Sequence, residues 1–177
     1  MTTARRTEAV LRVTRALLGL ALWVPVATPA HGDGQEHKPA AARSVVETAF
    51  GRSADPKRAT RTIRIDMSDT MRYTPSEIEV KQGDTIRFVV KNSGQTMHEM
   101  VLGTMKDLQD HAELMKRFPG MAHDDPYLAH VPPGKTWTIV WQFTQAGDFH
   151  YGCLVPGHFE AGMVGQIKVL SAGVGMR

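Results

Sequence analysis

The sequence predicts an all-β fold, a Greek-key β-sandwich with a short helix and a long loop inserted between two of its strands. Three observations predict it. From residue 60 to residue 170, apolar residues alternate with polar ones at a period of two, the mark of strands that bury one face. Turn residues interrupt that alternation repeatedly, as short strands packed in two sheets require. Glycine and proline number 16 and 10 among the 177 residues, which suits a loop-rich β protein, and an apolar fraction of 42% is enough to bury a core.

The chain opens with what reads as an export signal. Arg5, Arg6, Arg12 and Arg15 precede an apolar run from Ala16 to Val26, followed by small residues ending at Ala30. The run is shorter than the roughly 20 residues needed to cross a bilayer, so cleavage near Ala30 is expected, with delivery to the periplasm and no membrane span in the mature form. Arg5-Arg6 also hints at twin-arginine export, although the residues after the pair fit poorly.

Charge excludes one class of partner. The formal net charge is +3, but it comes from this leader: without the first thirty residues, basic and acidic residues are equal at 17 each. No basic patch is left to bind nucleic acid.

Residues 31–59 are polar and small, and read as a flexible arm carrying His31 and His37, with a short helix near 43–50. The folded domain is expected over residues 60–172, with a tail at 173–177. Its first strands place Ile63, Ile65 and Met67, then Ile78 and Val80, then Ile86, Phe88 and Val90 on buried faces. Gln82-Gly83-Asp84 and Asn92-Ser93-Gly94 supply turns. A short strand fits Met100–Gly103. Lys106 to Arg117 reads as a helix, since Leu108, Ala112 and Met115 recur at near-helical spacing and Pro119-Gly120 stops the run. A long loop follows over 119–134. Trp137, Ile139, Trp141 and Phe143 then share a strand face, Phe149, Tyr151 and Cys153 another, and a last strand runs over 165–170.

The chemistry concentrates at Cys153, the single cysteine. An exported chain with one cysteine forms no internal disulfide, so this residue is inert, dimer-forming or a metal ligand. Its neighbours spell C-x4-H-x4-M through His158 and Met163, between two strands, and His98 follows another strand upstream. A thiolate with two imidazoles and a weak thioether is the blue-copper set. Structural zinc prefers four Cys or His ligands, and an iron–sulfur cluster needs more thiolates. Pro156, Gly157 and Gly162 shape the turns of the loop.

Three stretches carry a family resemblance: Tyr73–Asp84, Asn92–His98 and Phe149–Met163. Over roughly residues 60–170 the chain resembles cupredoxins of the plastocyanin/azurin superfamily. Within it, the stretch Met97-His98-Glu99-Met100-Val101-Leu102-Gly103 makes it most similar to periplasmic copper-tolerance cuproproteins and green cupredoxins. The resemblance implies one type 1 copper ion held by His98, Cys153, His158 and Met163. It also implies an electron exit at the edge of His158, with Glu99, Leu154, Val155, Pro156 and Phe159 lying behind the ligands or facing a partner. The chain departs from small electron carriers at Glu99, where they usually have Asn, and in the larger segment at 105–134.

Other histidines and methionines have competing readings. Met97, Met100, Met105, Met115 and Met121 lie near the first histidine; a thioether cluster suits Cu(I), yet methionine is more often core filler, and packing is the expectation. His31, His37, Met97 and Met100 are the candidates for ancillary copper. His111 and Met115 share a helical face on which packing is the default, and His123, His130 and His150 are expected at the surface. Nothing in these motifs acts as a general acid or base on an organic substrate, so a non-enzyme is expected. Two roles follow: copper tolerance in the periplasm, or soluble electron transfer between a donor and a terminal reductase or oxidase, with a cytochrome or copper protein as redox partner.

Overall fold

Strand β3 (Arg61–Ser68) carries out the period-two reading: Ile63, Ile65 and Met67 are buried and the residues between them are not. The computed structural model describes residues 45–121 and 124–173. The expected export signal with its cleavage point, His31, His37, His123 and the tail beyond residue 173 lie outside the described residues.

The other strands are β1 (Glu47–Thr48), β2 (Gly51–Ser53), β4 (Arg72–Thr74), β5 (Glu77–Lys81), β6 (Thr85–Asn92), β7 (His98–Gly103), β8 (Leu128–Val131), β9 (Thr136–Gln142), β10 (Gly147–Gly152) and β11 (Val164–Leu170), with one helix, α1 (Met105–Arg117), between β7 and β8. They form two sheets, β1-β2-β9-β6-β3-β4 and β5-β11-β10-β7-β8. This is the expected two-layer sandwich, but its sheets are mixed: β3 runs parallel to β6 and β5 parallel to β11. Ile86, Phe88, Val90, Ile139, Trp141, Tyr151 and Ile167 meet between the layers with almost no exposure. Burying one such side chain contributes about 1.5–3 kcal/mol, so the inner faces fix the register of every strand: a slip by one residue would turn each set outward.

The expected arm over 31–59 is corrected in its last third. Residues 47–53 form β1 and β2 instead of a helix, β2 pairs with β9, and Phe50 is buried against Trp141 with ring centroids 5.2 Å apart. Only glycine fits at position 51, where φ is +139° and a Cβ would lie 2.1 Å from the Gln142 carbonyl oxygen. Strands of two and three residues hold too few positions for alternation to show in sequence. The same reason hides β4 and also β8, which crosses the expected long loop.

Helix α1 starts at a capping box: Thr104 Oγ1 accepts from the Asp107 N–H, and the Asp107 carboxylate accepts from the Thr104 N–H. Leu108, Ala112 and Met115 form its buried face. They pack with Val101, Leu128 and Leu154 in a cluster separate from the main core. Trp137, expected on the same strand face as the buried Ile139 and Trp141, is 53% exposed near the start of β9.

Candidate metal centre

Backbone pairing builds the ligand loop before any side chain contributes. β10 and β11 are antiparallel neighbours and their last pair is Gly152 with Val164, so Cys153 and Met163 close the ladder from opposite sides. The Cys153 N–H donates to the Met163 carbonyl at 3.1 Å, the Met163 N–H to the His158 carbonyl at 3.0 Å, and the His158 N–H to the Val155 carbonyl at 3.0 Å. Gly157 and Gly162 turn the chain at φ +89° and +87°, a region costly for residues with a Cβ. The loop is thus held at both ends and across its middle.

β7 brings in the fourth residue. It pairs with β10, Val101 opposite Gly152, which sets the start of β7 beside the end of β10. The Glu99 N–H donates to Cys153 Sγ at 3.3 Å, and His98 lies just before it, fully buried. Ligand atoms of His98, Cys153 and His158 all fall within 4.8 Å of one another. Cys153 Sγ is 3.3 Å from His158 Nδ1, and the two imidazole rings are 5.0 Å apart at 51°. Met163 is fully buried at the closing end of the loop. His98, Cys153 and Met163 are buried, while His158 is half-buried and reaches the surface.

The donor set fits a soft metal ion. His98 Nδ1 is buried without a hydrogen-bond partner, and an unsatisfied buried polar atom of this kind costs about 1–3 kcal/mol. Its other nitrogen, Nε2, is 3.1 Å from Asp69 Oδ1. Burial pushes the Cys153 thiol up to about 12, against the opposing pull of the Glu99 and Val155 backbone hydrogen bonds to its sulfur. Burial, and then the nearby His98, lower the pKa of His158. Without a metal the centre therefore holds a thiol and favours a neutral His158, and a cation would displace the thiol proton.

Several expected site residues take other places. Of the two expected places for Glu99, behind the ligands or facing a partner, it takes the first: it is buried, its carboxylate is 2.8 Å from Nδ1 of His130, its cross-strand neighbour, and Tyr73 Oη donates to its carbonyl at 2.6 Å. Leu154 is buried under α1, so it is no part of an exposed rim. Pro156 is exposed, and Val155 and Phe159 are half-buried around His158. Met100 lies in the main core, as Cys153 and Met163 do, whereas Met97 is 41% exposed. Met115 is core to the helix cluster. His130 is half-buried in its pairing with Glu99, and His150, expected at the surface, keeps a buried Nδ1 without a partner.

Asp69 escaped sequence reasoning. It sits in the turn between β3 and β4, one acid among many, and meets the loop before β7 only through the fold. Oδ2 accepts from the Gln95 N–H at 2.7 Å, and Oδ1 from Thr96 Oγ1 at 2.9 Å. These bonds hold its pKa down at about 2.

Among known proteins, the family described as copper binding proteins of the plastocyanin/azurin family matches residues 59–170. A copper-resistant cuproprotein CopI of Rubrivivax gelatinosus is 49% identical over 139 residues, covering 78% of this chain and 84% of that protein. A protein of the same name from Pseudomonas aeruginosa is 35% identical over 175 residues, covering 81% and 86%. The solved structure of dithionite-reduced auracyanin from Roseiflexus castenholzii superposes with a TM-score of 0.55 at 24% identity, covering 63% of this chain and 98% of its own, a likeness of fold.

Proposed function

Because this chain belongs to the plastocyanin/azurin family of copper-binding proteins, we propose that it is a periplasmic, mononuclear type 1 copper protein that contributes to copper tolerance. His98, Cys153, His158 and Met163 form a cluster typical of a type 1 copper site. In this reading Cys153 gives the thiolate, His98 and His158 the imidazoles and Met163 the weak thioether. Copper, when bound, supplies a one-electron couple between Cu(I) and Cu(II).

The protein's own part is to hold and shield. Two backbone N–H groups, of Glu99 and Val155, point at Cys153 Sγ and favour its ionised form. The tethered loop keeps Cys153, His158 and Met163 in fixed relation, so a change of oxidation state asks little movement of them. Burial of three of the four residues excludes water. None of these groups is set to transfer a proton to an organic substrate, which supports a role without enzymatic turnover.

The observation that carries this reading is the convergence of His98, Cys153 and His158, with the Nδ1 atom of His98 buried and unpartnered. The name of the R. gelatinosus and P. aeruginosa relatives supports the tolerance role, and the arginines followed by an apolar run and small residues up to Ala30, the sequence pattern of an export signal, support export. Purified protein with one equivalent of Cu(II) should show intense thiolate-to-copper absorption that Cys153→Ala abolishes. A colourless complex, or bands that survive the substitution, would remove the assignment. A deletion strain growing normally in elevated copper would remove the tolerance role.

A second reading, soluble electron carrier, is favoured by the half-buried His158 with Val155, Pro156 and Phe159 about it. Such an apolar margin suits contact with a cytochrome or another copper protein. Val155→Asp should then slow electron exchange with that partner; an unchanged rate would count against it.

A further inference from the structure

Asp69 stands 29 residues before His98 in sequence and belongs to neither ligand-bearing stretch, yet its carboxylate is where the buried imidazole ends. Oδ1 collects three donors: Thr96 Oγ1 at 2.9 Å, His98 Nε2 at 3.1 Å and the Thr96 N–H at 3.3 Å. Oδ2 takes the Gln95 N–H at 2.7 Å. An ionised carboxylate only accepts hydrogen bonds, so the contact at Nε2 is satisfied only when that nitrogen carries the imidazole proton. Nδ1 is then left with its lone pair, and Nδ1 is the atom found buried and unpartnered.

The chain also closes over this pair. A Cβ added at Gly94 would lie 2.2 Å from Asp69 Oδ1 and 3.1 Å from His98 Nε2. Position 94 therefore has room for hydrogen alone, and the contact is covered by backbone. The side chain of Asp69 itself remains 39% exposed.

We propose that Asp69 is a positioning residue for the copper centre, fixing His98 as the Nε2–H tautomer so that Nδ1 faces the metal, and placing a negative charge that favours Cu(II) over Cu(I). This rests on the copper reading of the site. A carboxylate behind a metal-bound histidine orients the ring and raises its basicity, and loss of such a partner typically costs about 10–100-fold in metal affinity. Relative to a neutral acceptor in the same place, the charge lowers the reduction potential and so eases oxidation of Cu(I) held in the site.

Two variants separate the effects. Asp69→Asn keeps an acceptor oxygen for Nε2 and removes the charge; Asp69→Ala removes both. Nitrogen NMR of the metal-free protein should find His98 as the Nε2–H tautomer in the wild type and in Asp69→Asn, and as a mixture in Asp69→Ala. With copper, Asp69→Asn should show a raised reduction potential with its thiolate-to-copper bands intact, and Asp69→Ala should bind Cu(II) about 10–100-fold more weakly. If Asp69→Ala does not fold, Asp69→Asn carries the test through its potential. An Nδ1–H tautomer in the metal-free wild type, or an unchanged potential in Asp69→Asn, overturns the proposal. A wild type without thiolate-to-copper bands overturns the copper reading instead, and the tautomer result in metal-free protein tells the two failures apart.

Discussion

Lys116 Nζ lies 2.7 Å from Glu160 Oε1, joining the last turn of α1 to the loop between His158 and Met163. Glu160 in turn accepts the Gly157 N–H at 3.1 Å. Beneath this polar link, Leu108, Ala112 and Met115 pack on Leu154, with Phe159 against the same cluster. The inserted helix is therefore a buttress for the ligand loop, and the apolar contact is its stronger half. Lys116 and Glu160 are both about 40% exposed, so Lys116→Ala should cost no more than about 1 kcal/mol. Leu108→Ala should cost about 2–5 kcal/mol. Urea unfolding of the metal-free protein measures both; equal losses would show that the packing is not the stronger half.

The Glu99 carboxylate, its side chain 7% exposed, is held at 2.8 Å by His130 Nδ1. His130→Ala would leave that carboxylate without its partner, at a cost of about 1–3 kcal/mol. Replacing both residues with apolar ones should recover part of the loss, since neither polar group is then stranded. A double-mutant cycle read by denaturant unfolding checks this. Additive losses in the two single variants would show that the pair is not coupled.

Alkaline pH should destabilise the metal-free protein through Cys153. Its pKa is raised by burial from 9.0 to about 12. The folded chain thus holds a proton that the unfolded chain gives up first. The resulting stability is fully present below about pH 9 and is lost as pH rises toward about 12. Tyr73 and Tyr151, both raised by burial, add losses in the same direction at higher pH. Cys153→Ala should flatten the stability profile just above pH 9 and leave the tyrosine part; a profile identical to wild type would refute the assignment.

Copper uptake should release protons. Below its raised pKa Cys153 is a thiol, and binding needs the thiolate, so about one proton should leave per Cu(II) at pH 7–8. His158, with its pKa lowered by burial, should add little there. Binding heats in buffers of different ionisation enthalpy give the number directly. Cys153→Ala should abolish the release; a wild-type value of zero would mean that sulfur is not a ligand.

The sequence was readable where a signal was either periodic or dense. Long strands such as β3 and β6 show every second residue buried, and α1 shows its helical spacing, so their positions came out within one or two residues. Cys153, His158 and Met163 were legible because one loop carries all three. His98 was singled out from its place beside a strand and assigned as the upstream ligand by the resemblance, since only the β7–β10 pairing brings it near. What could not be read was short or tertiary. β1, β2, β4 and β8 have too few residues for a period. Leu154 and Met100 look like any apolar residue beside a ligand, and only packing decides that both face inward. Asp69 acts across two loops, a relation with no local spacing.

The parallel pairing of β11 with β5 also sets an order of events. Six other strand and helix elements separate β5 from β11 along the chain, and the loop carrying Cys153, His158 and Met163 is drawn into place only when β11 docks between β5 and β10. Pairings so distant in sequence close slowly, because the entropy of the long loop is lost before the contacts compensate. Refolding of the metal-free chain, followed by tryptophan fluorescence, should accordingly take milliseconds to seconds rather than microseconds. A chain emerging from synthesis has no copper trap to offer until β11 is free to pair with β5 and β10. Metallation thereby waits for the closed sheet.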